Sequence, residues 1–189
     1  MRKRIIIVED ESIIRMDLKM TLQDHGYEVV GEAGDGEKAI ELAFLHKPDL
    51  ILMDIKMPKM NGLKASRIIG EQLDIPILIL TAYSQKEFVE KAQQDNVVGY
   101  LVKPISESNL IPAVEVALHQ ADKTKRLKES IRQAKQEVEK RKVIERAKGI
   151  LMNVEHLTEQ QAFKQMRDAS MSRQMTMESI AMEIIDSYK

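Results

Sequence analysis

The sequence predicts an α/β domain, a doubly wound parallel sheet of five strands, followed by a long coiled-coil helix and a three-helix all-α domain. Three observations carry this. Five short apolar runs alternate with amphipathic stretches over residues 1–121, the pattern of βα units with right-handed crossovers. From Ala113 to Lys148 there is neither Gly nor Pro. Beyond Gly149, capping signals mark two shorter helices. Charge divides the same way. Residues 1–121 carry 14 Lys+Arg against 19 Asp+Glu, a net of −5, and residues 122–189 carry 15 against 11, a net of +4. Such asymmetry points to two modules with different partners.

Taken in order, Arg4 to Val8 is a β-branched strand that runs into Glu9-Asp10-Glu11. Ser12 is placed to cap a helix over 13–25, with Ile14, Leu18 and Leu22 on one face. Gly26 stops that helix, and Tyr27 to Ala33 is a second strand. Asp35 is placed to cap a helix bearing Ala39, Ile40 and Ala43. Leu50 to Met53 is apolar on both faces, as in a strand covered by helices on each side, and it ends in Asp54. Gly62 precedes a helix near 63–72. Ile75 to Leu80 is a fourth strand ending at Thr81. Gln85 to Gln94 reads as a helix, and Val97 to Val102 is a fifth strand ending at Lys103-Pro104.

Composition excludes several classes. The chain has 189 residues, of which 43% are hydrophobic, enough for a packed core. The absence of Cys removes disulfides, thiolate catalysis and Cys-ligated zinc. Met1-Arg2-Lys3-Arg4 is basic, but Ile5 to Val8 is too short for a signal-peptide core. No apolar run approaches 18 residues, so no membrane span is expected. A soluble, cytoplasmic protein without a membrane partner is the expectation.

The strand ends hold the chemistry. In a parallel sheet they share one edge, the edge at which open α/β sheets bind ligands. Glu9 and Asp10, Asp54, Thr81 and Lys103 all fall there. A strand-ending Asp such as Asp54 is also an ordinary way to begin a turn. Carboxylates crowded together repel and raise one another's pKa unless a cation holds them. A hard divalent ion suits an all-oxygen set, and Mg²⁺ accepts one or two carboxylates plus water and phosphate oxygens. A carboxylate is also a phosphoryl nucleophile, and Lys103 and Thr81 are suited to holding phosphoryl oxygens.

With those residues in view, residues 1–121 resemble the flavodoxin-like receiver domain of two-component response regulators. The matching pieces are Val8-Glu9-Asp10-Glu11, Met53-Asp54-Ile55-Lys56-Met57-Pro58, Asn61-Gly62, Thr81-Ala82 and Lys103-Pro104. The resemblance implies that Asp54 accepts a phosphoryl group from a histidine kinase. It implies that Glu9, Asp10, Asp54 and the backbone carbonyl of Lys56 hold Mg²⁺. It further implies that Thr81 and Tyr100 shift together on phosphorylation. Glu9 stands where the family more often has Asp.

In the second half, Ala117, Gln120, Thr124, Leu127, Ile131, Ala134, Val138 and Arg141 alternate spacings of three and four. That is a heptad seam weakened by its polar members, a marginal coiled coil over a linker at 122–140. Over 123–148 there are 11 basic residues and 4 acidic, a net of +7, which suits a phosphate backbone. Thr158-Glu159-Gln160-Gln161 reads as a capping box for a helix with Ala162, Phe163, Met166 and Ala169 inward. Thr176 caps a last helix with Ile180, Ala181, Ile184 and Ile185 inward. Pro112 is expected in a first turn or at a kink.

Three helices after such a domain invite a DNA-binding reading. The last helix, however, carries Glu178, Glu183 and Asp186, a poor fit to a major groove. Glu145-Arg146-Ala147-Lys148-Gly149-Ile150-Leu151-Met152, Gln161-Ala162-Phe163 and Met166-Arg167-Asp168-Ala169-Ser170-Met171 resemble an ANTAR domain, covering roughly 130–189. The whole chain is thus similar to the ANTAR response regulators, among them the antiterminators of ethanolamine utilisation. The resemblance implies a phosphorylation-driven homodimer that binds hairpin RNA in nascent transcripts and prevents termination. The rival expectation is a phosphorylation-switched DNA-binding factor. No nucleophile–base set appears outside the Asp54 pocket, so an enzyme is not expected beyond self-dephosphorylation. Arg141, Lys142, Arg146, Lys148, Lys164, Arg167 and Arg173 are the candidate RNA contacts. Phe163 reads as core, which argues against base stacking on rings.

Overall fold

The computed structural model describes residues 2–82 and 96–188, so the helix expected over Gln85 to Gln94 lies outside the described residues. The chain forms two compact units, Met1–Thr124 and Lys125–Lys189.

In the first unit the strands are β1 (Arg4–Val8), β2 (Glu28–Ala33), β3 (Leu50–Asp54), β4 (Ile77–Thr81) and β5 (Val97–Val102). They make one parallel sheet in the order β2-β1-β3-β4-β5. The order reverses between β1 and β3, so the crevice for a ligand opens where Glu9 and Asp54 leave their strands.

Strand alternation builds two cores. Ile6, Val8, Ile51, Met53, Ile77 and Ile79 face α2 (Gly36–His46) and α3 (Gly62–Gln72). Ile5, Ile7, Leu50, Leu52, Leu78 and Leu80 face α1 (Ser12–Asp24) and the start of α4 (Glu107–Val154). Both faces of β1, β3 and β4 are thereby covered, which is why these strands read as continuous apolar runs.

Caps set the helix starts. Asp35 accepts from Lys38 N and Asn61 from Lys64 N, each at 2.9 Å. Ser12 departs from expectation. It is the first residue of α1, Glu11 takes the capping position, and no side chain caps the helix. Pro112 lies inside α4 beyond the first turn. Pro112 and Ser108, whose carbonyl loses its helical donor, are both exposed, so water reaches that end of the missing bond.

The second unit holds the rest of α4, then α5 (Glu159–Arg173) and α6 (Met177–Ser187). Gly149 does not interrupt α4, which continues to Val154. Thr158 and Gln161 form the reciprocal capping box of α5, and Thr176 caps α6 through Ser179 N. The core is Ala147, Leu151, Ala162, Met166, Ile180 and Ala181, joined by half-buried Ile184 and Ile185. Among the described residues no helix is long and apolar enough to cross a membrane.

Candidate phosphoacceptor pocket and RNA-binding surface

At the edge where β1 and β3 end, one carboxylate oxygen from each of Glu9, Asp10 and Asp54 lies within 4.8 Å of the others. Glu9 is fully buried, Asp54 nearly so, and Asp10 exposed. Lys103, at the end of β5, lies between the two buried acids. Its Nζ is 2.7 Å from Glu9 Oε2 and 3.1 Å from Asp54 Oδ2. It donates a hydrogen bond to Asp54, whereas the Glu9 contact is an ion pair without hydrogen-bond direction, so Glu9 Oε2 keeps an unfilled acceptor position. The other Asp54 oxygen accepts from Ile55 N at 2.8 Å.

Burial pushes the Glu9 carboxyl above the usual range. Lys103 opposes that rise, and the charge of Asp54 adds to it. Burial alone would lower Lys103, but its pairing with the Glu9 and Asp54 carboxylates outweighs it and holds the ammonium above its usual value. The cleft over these groups, about 280 Å³, is lined by Asp10, Asp54, Lys56, Thr81 and Lys103. Three hard oxygen donors, one with a buried lone pair unmet, fit a divalent cation of the Mg²⁺ kind. Tyr100 does not line this cleft. It is half-buried against the core beneath α2 and α3, and burial raises its phenol.

Two residues that position the site escaped the sequence reading. Arg15 on α1 donates to the backbone carbonyl of Glu9 and faces Glu32, clamping the turn after β1. Gly62, read from sequence as the residue before a helix and as part of a motif but not as a packing contact, lies so close that a Cβ there would fall 2.0 Å from the Asp54 carbonyl oxygen. The loop between them is tied down from the other side. Gly36 N donates to the Met60 carbonyl at 3.0 Å, and Lys59 pairs with Asp35 at 2.8 Å.

In the second unit, Arg141, Lys142, Arg146, Lys164, Arg167 and Arg173 are exposed. Lys142 pairs with Glu139, and Arg173 with Glu183. Thr176-capped α6 keeps Glu178, Glu183 and Asp186.

The description "Response regulator receiver domain" matches residues 5–115, and "ANTAR domain" matches residues 132–185. The chain is a response regulator of the receiver–ANTAR family. It is 45% identical over 185 residues, 98% of this chain and 90% of the relative, to "Transcriptional regulatory protein PdtaR" of Mycobacterium tuberculosis. Its receiver domain resembles solved structures. One is the chemotaxis protein CheY4 of Vibrio cholerae, with a TM-score of 0.59, 31% identity and 62% of this chain against 99% of that one. Another is the signal receiver domain of a modulated diguanylate cyclase from Desulfovibrio desulfuricans G20, with a TM-score of 0.59, 28% identity and 65% against 98%.

Within the ANTAR unit two residues stand differently from the sequence reading. Lys148 is only 7% exposed, and its Nζ lies 2.9 Å from Glu145 and 2.8 Å from Glu159. An ammonium so committed is poorly placed to meet a phosphate. Phe163 is not core. It is 45% exposed, because Ala162 and Met166 take the inward face of α5 and leave residue 163 turned outward.

Proposed function

We propose that this response regulator is switched by phosphorylation of Asp54 and, once switched, dimerises and binds hairpin RNA in nascent transcripts to prevent termination. The observation that carries the reading is Asp54 itself, buried at the end of β3 with Lys103 at 3.1 Å, on a chain whose other unit is an ANTAR domain. An Asp54 carboxylate oxygen attacks the phosphorus of a phosphohistidine. The new O–P bond forms as the N–P bond breaks, and the departing imidazole takes a proton from water. Glu9, Asp10, Asp54 and the Lys56 carbonyl would hold Mg²⁺, which spreads the charge of the phosphoryl oxygens when bound. Lys103 is then placed to exchange its Asp54 oxygen for a phosphoryl oxygen, and Thr81 lines the same cleft.

Ile13, Met16 and Met20 form an exposed apolar stripe at i, i+3 and i+7 on α1, Ile13 being 79% exposed. That stripe suits a helix of the partner histidine kinase. Leu127, Ile131 and Val138 of the heptad seam are exposed as well, a surface that fits a second copy of α4. We read the chain as a cytoplasmic regulator whose only turnover is loss of its own phosphoryl group.

The test pairs labelling with binding. Asp54→Asn should abolish labelling by a small phosphodonor with Mg²⁺ while the fold persists. In the parent, the same donor should raise the sedimentation coefficient and the affinity for hairpin RNA. Unchanged labelling of the variant, or binding to duplex DNA in preference to hairpin RNA, would sink the reading.

A further inference from the structure

The ANTAR unit sorts its cations into two kinds. Arg132, Lys140, Lys142, Lys148 and Arg173 each reach a carboxylate. Lys164 and Arg167, exposed on α5, have no ion-pair partner among the described residues, although Asp168 lies four positions after Lys164. Phe163 is their immediate neighbour. Arg167 follows it by four, so the two side chains share one helix face, and exposed Met171 follows Arg167 by four again.

The other exposed phenylalanine among the described residues is framed differently. Phe44 on α2 is exposed to nearly the same degree, 42%, but within α2 the charged residue at its helical spacing is Glu41, already paired with Lys38, and Lys47 three positions on is the left-handed residue past the helix end. A lone exposed aromatic is ordinary. An exposed aromatic framed by uncompensated cations is not, since it offers a flat apolar face to a ligand that must also be anionic. Unstacked bases of an RNA loop meet both conditions, with a π-face and a phosphate at each step. A second copy of the chain meets them badly. Symmetric pairing through this face would set Lys164 and Arg167 against their own counterparts.

We propose that the outer face of α5 binds the single-stranded loop of the hairpin, with one base stacked on Phe163 and the adjoining phosphates held by Lys164 and Arg167. This rests on the RNA-binding reading above.

The test uses the full chain, phosphorylated by a small donor, and a hairpin selected by the parent from synthetic RNAs with a fixed stem and randomised loop. 2-Aminopurine is placed at each loop position in turn. Phe163→Leu keeps an apolar side chain but removes the ring. It should weaken binding about tenfold or more, abolish quenching at one loop position, and leave the salt dependence unchanged. Phe163→Tyr should restore both affinity and quenching. Arg167→Ala should instead lower the slope of log affinity against log salt by about one unit. Parent-like affinity and quenching in Phe163→Leu would overturn the proposal alone. A loss in that variant that traces to weaker self-association by sedimentation would make this face a contact between copies, overturning it too. If the parent selects no hairpin, the RNA-binding reading falls with it.

Discussion

Lys148 and Glu159 lie eleven residues apart, and their side chains meet at 2.8 Å, joining the end of α4 to the first turn of α5. Glu145, one turn earlier on α4, holds the same ammonium. Both carboxylates hold the Lys148 pKa above its usual value, Glu159 most strongly. Their position also serves α5, since an acid in its first turn complements the positive end of the helix dipole.

Lys148→Ala is therefore expected to act on stability. It should lower the unfolding free energy of the full chain by roughly 1 kcal/mol, through the lost packing of the buried stem as much as the lost charge. Lys148→Met, which keeps the stem, should cost less. Urea melts check this, and salt titrations of RNA binding should show the parent's slope in both variants.

Gly62→Ala should be among the most damaging single changes in the receiver domain. The added Cβ would meet the Asp54 carbonyl, a backbone atom of a central strand that cannot swing aside. A cost of at least about 2 kcal/mol is expected, with loss of phosphoryl labelling in whatever folded protein remains. Parent-like labelling in the alanine variant would show that the loop relaxes.

Glu9 carries a conflict that Mg²⁺ would resolve. Its buried carboxyl is pushed upward in pKa, so holding it charged at neutral pH costs stability. Glu9→Gln should leave the metal-free protein at least as stable as the parent. It should also erase the stabilisation that Mg²⁺ gives the parent, about 2.7 kcal/mol at a hundredfold excess over Kd and read as a rise in melting temperature. Differential scanning calorimetry with and without MgCl₂ decides it.

Asp35 sets an acid limit on the loop after Asp54. Its bonds to Lys59 and to the start of α2 hold its pKa below the ordinary carboxylate value. A lowered folded pKa means stability present above the ordinary value and lost as pH falls through the lowered one. Asp35→Ala should therefore destabilise by about 1 kcal/mol at pH 7, the usual worth of a cap, while the exposed Lys59 pair adds little. The difference from the parent should close in strongly acidic solution. A constant gap down to pH 2 would assign the effect to something other than the carboxylate.

Period-two and period-3.6 patterning and capping chemistry are local, so a chain read in one dimension shows them. The alternation of strands and helices, the placement of Asp54 and Lys103 at strand ends, and the Thr158–Gln161 capping box were legible for that reason. The likeness to the receiver and ANTAR families was legible because short motifs keep their order. Distances between segments are not local. That Lys103 sits between Glu9 and Asp54, that Gly62 touches the Asp54 carbonyl and that Lys148 is held by Glu159 each depend on residues brought together from 8 to 94 positions apart. Phe163 shows the same limit within one helix. Its spacing allowed either face, and only the packing of Ala162 and Met166 against α4 and α6 decided that the ring points to solvent. Sequence determined which chemical groups this protein has and in what order; the tertiary fold decided which of them are buried, paired or left facing water, because burial and pairing are set by neighbours that the linear order does not name.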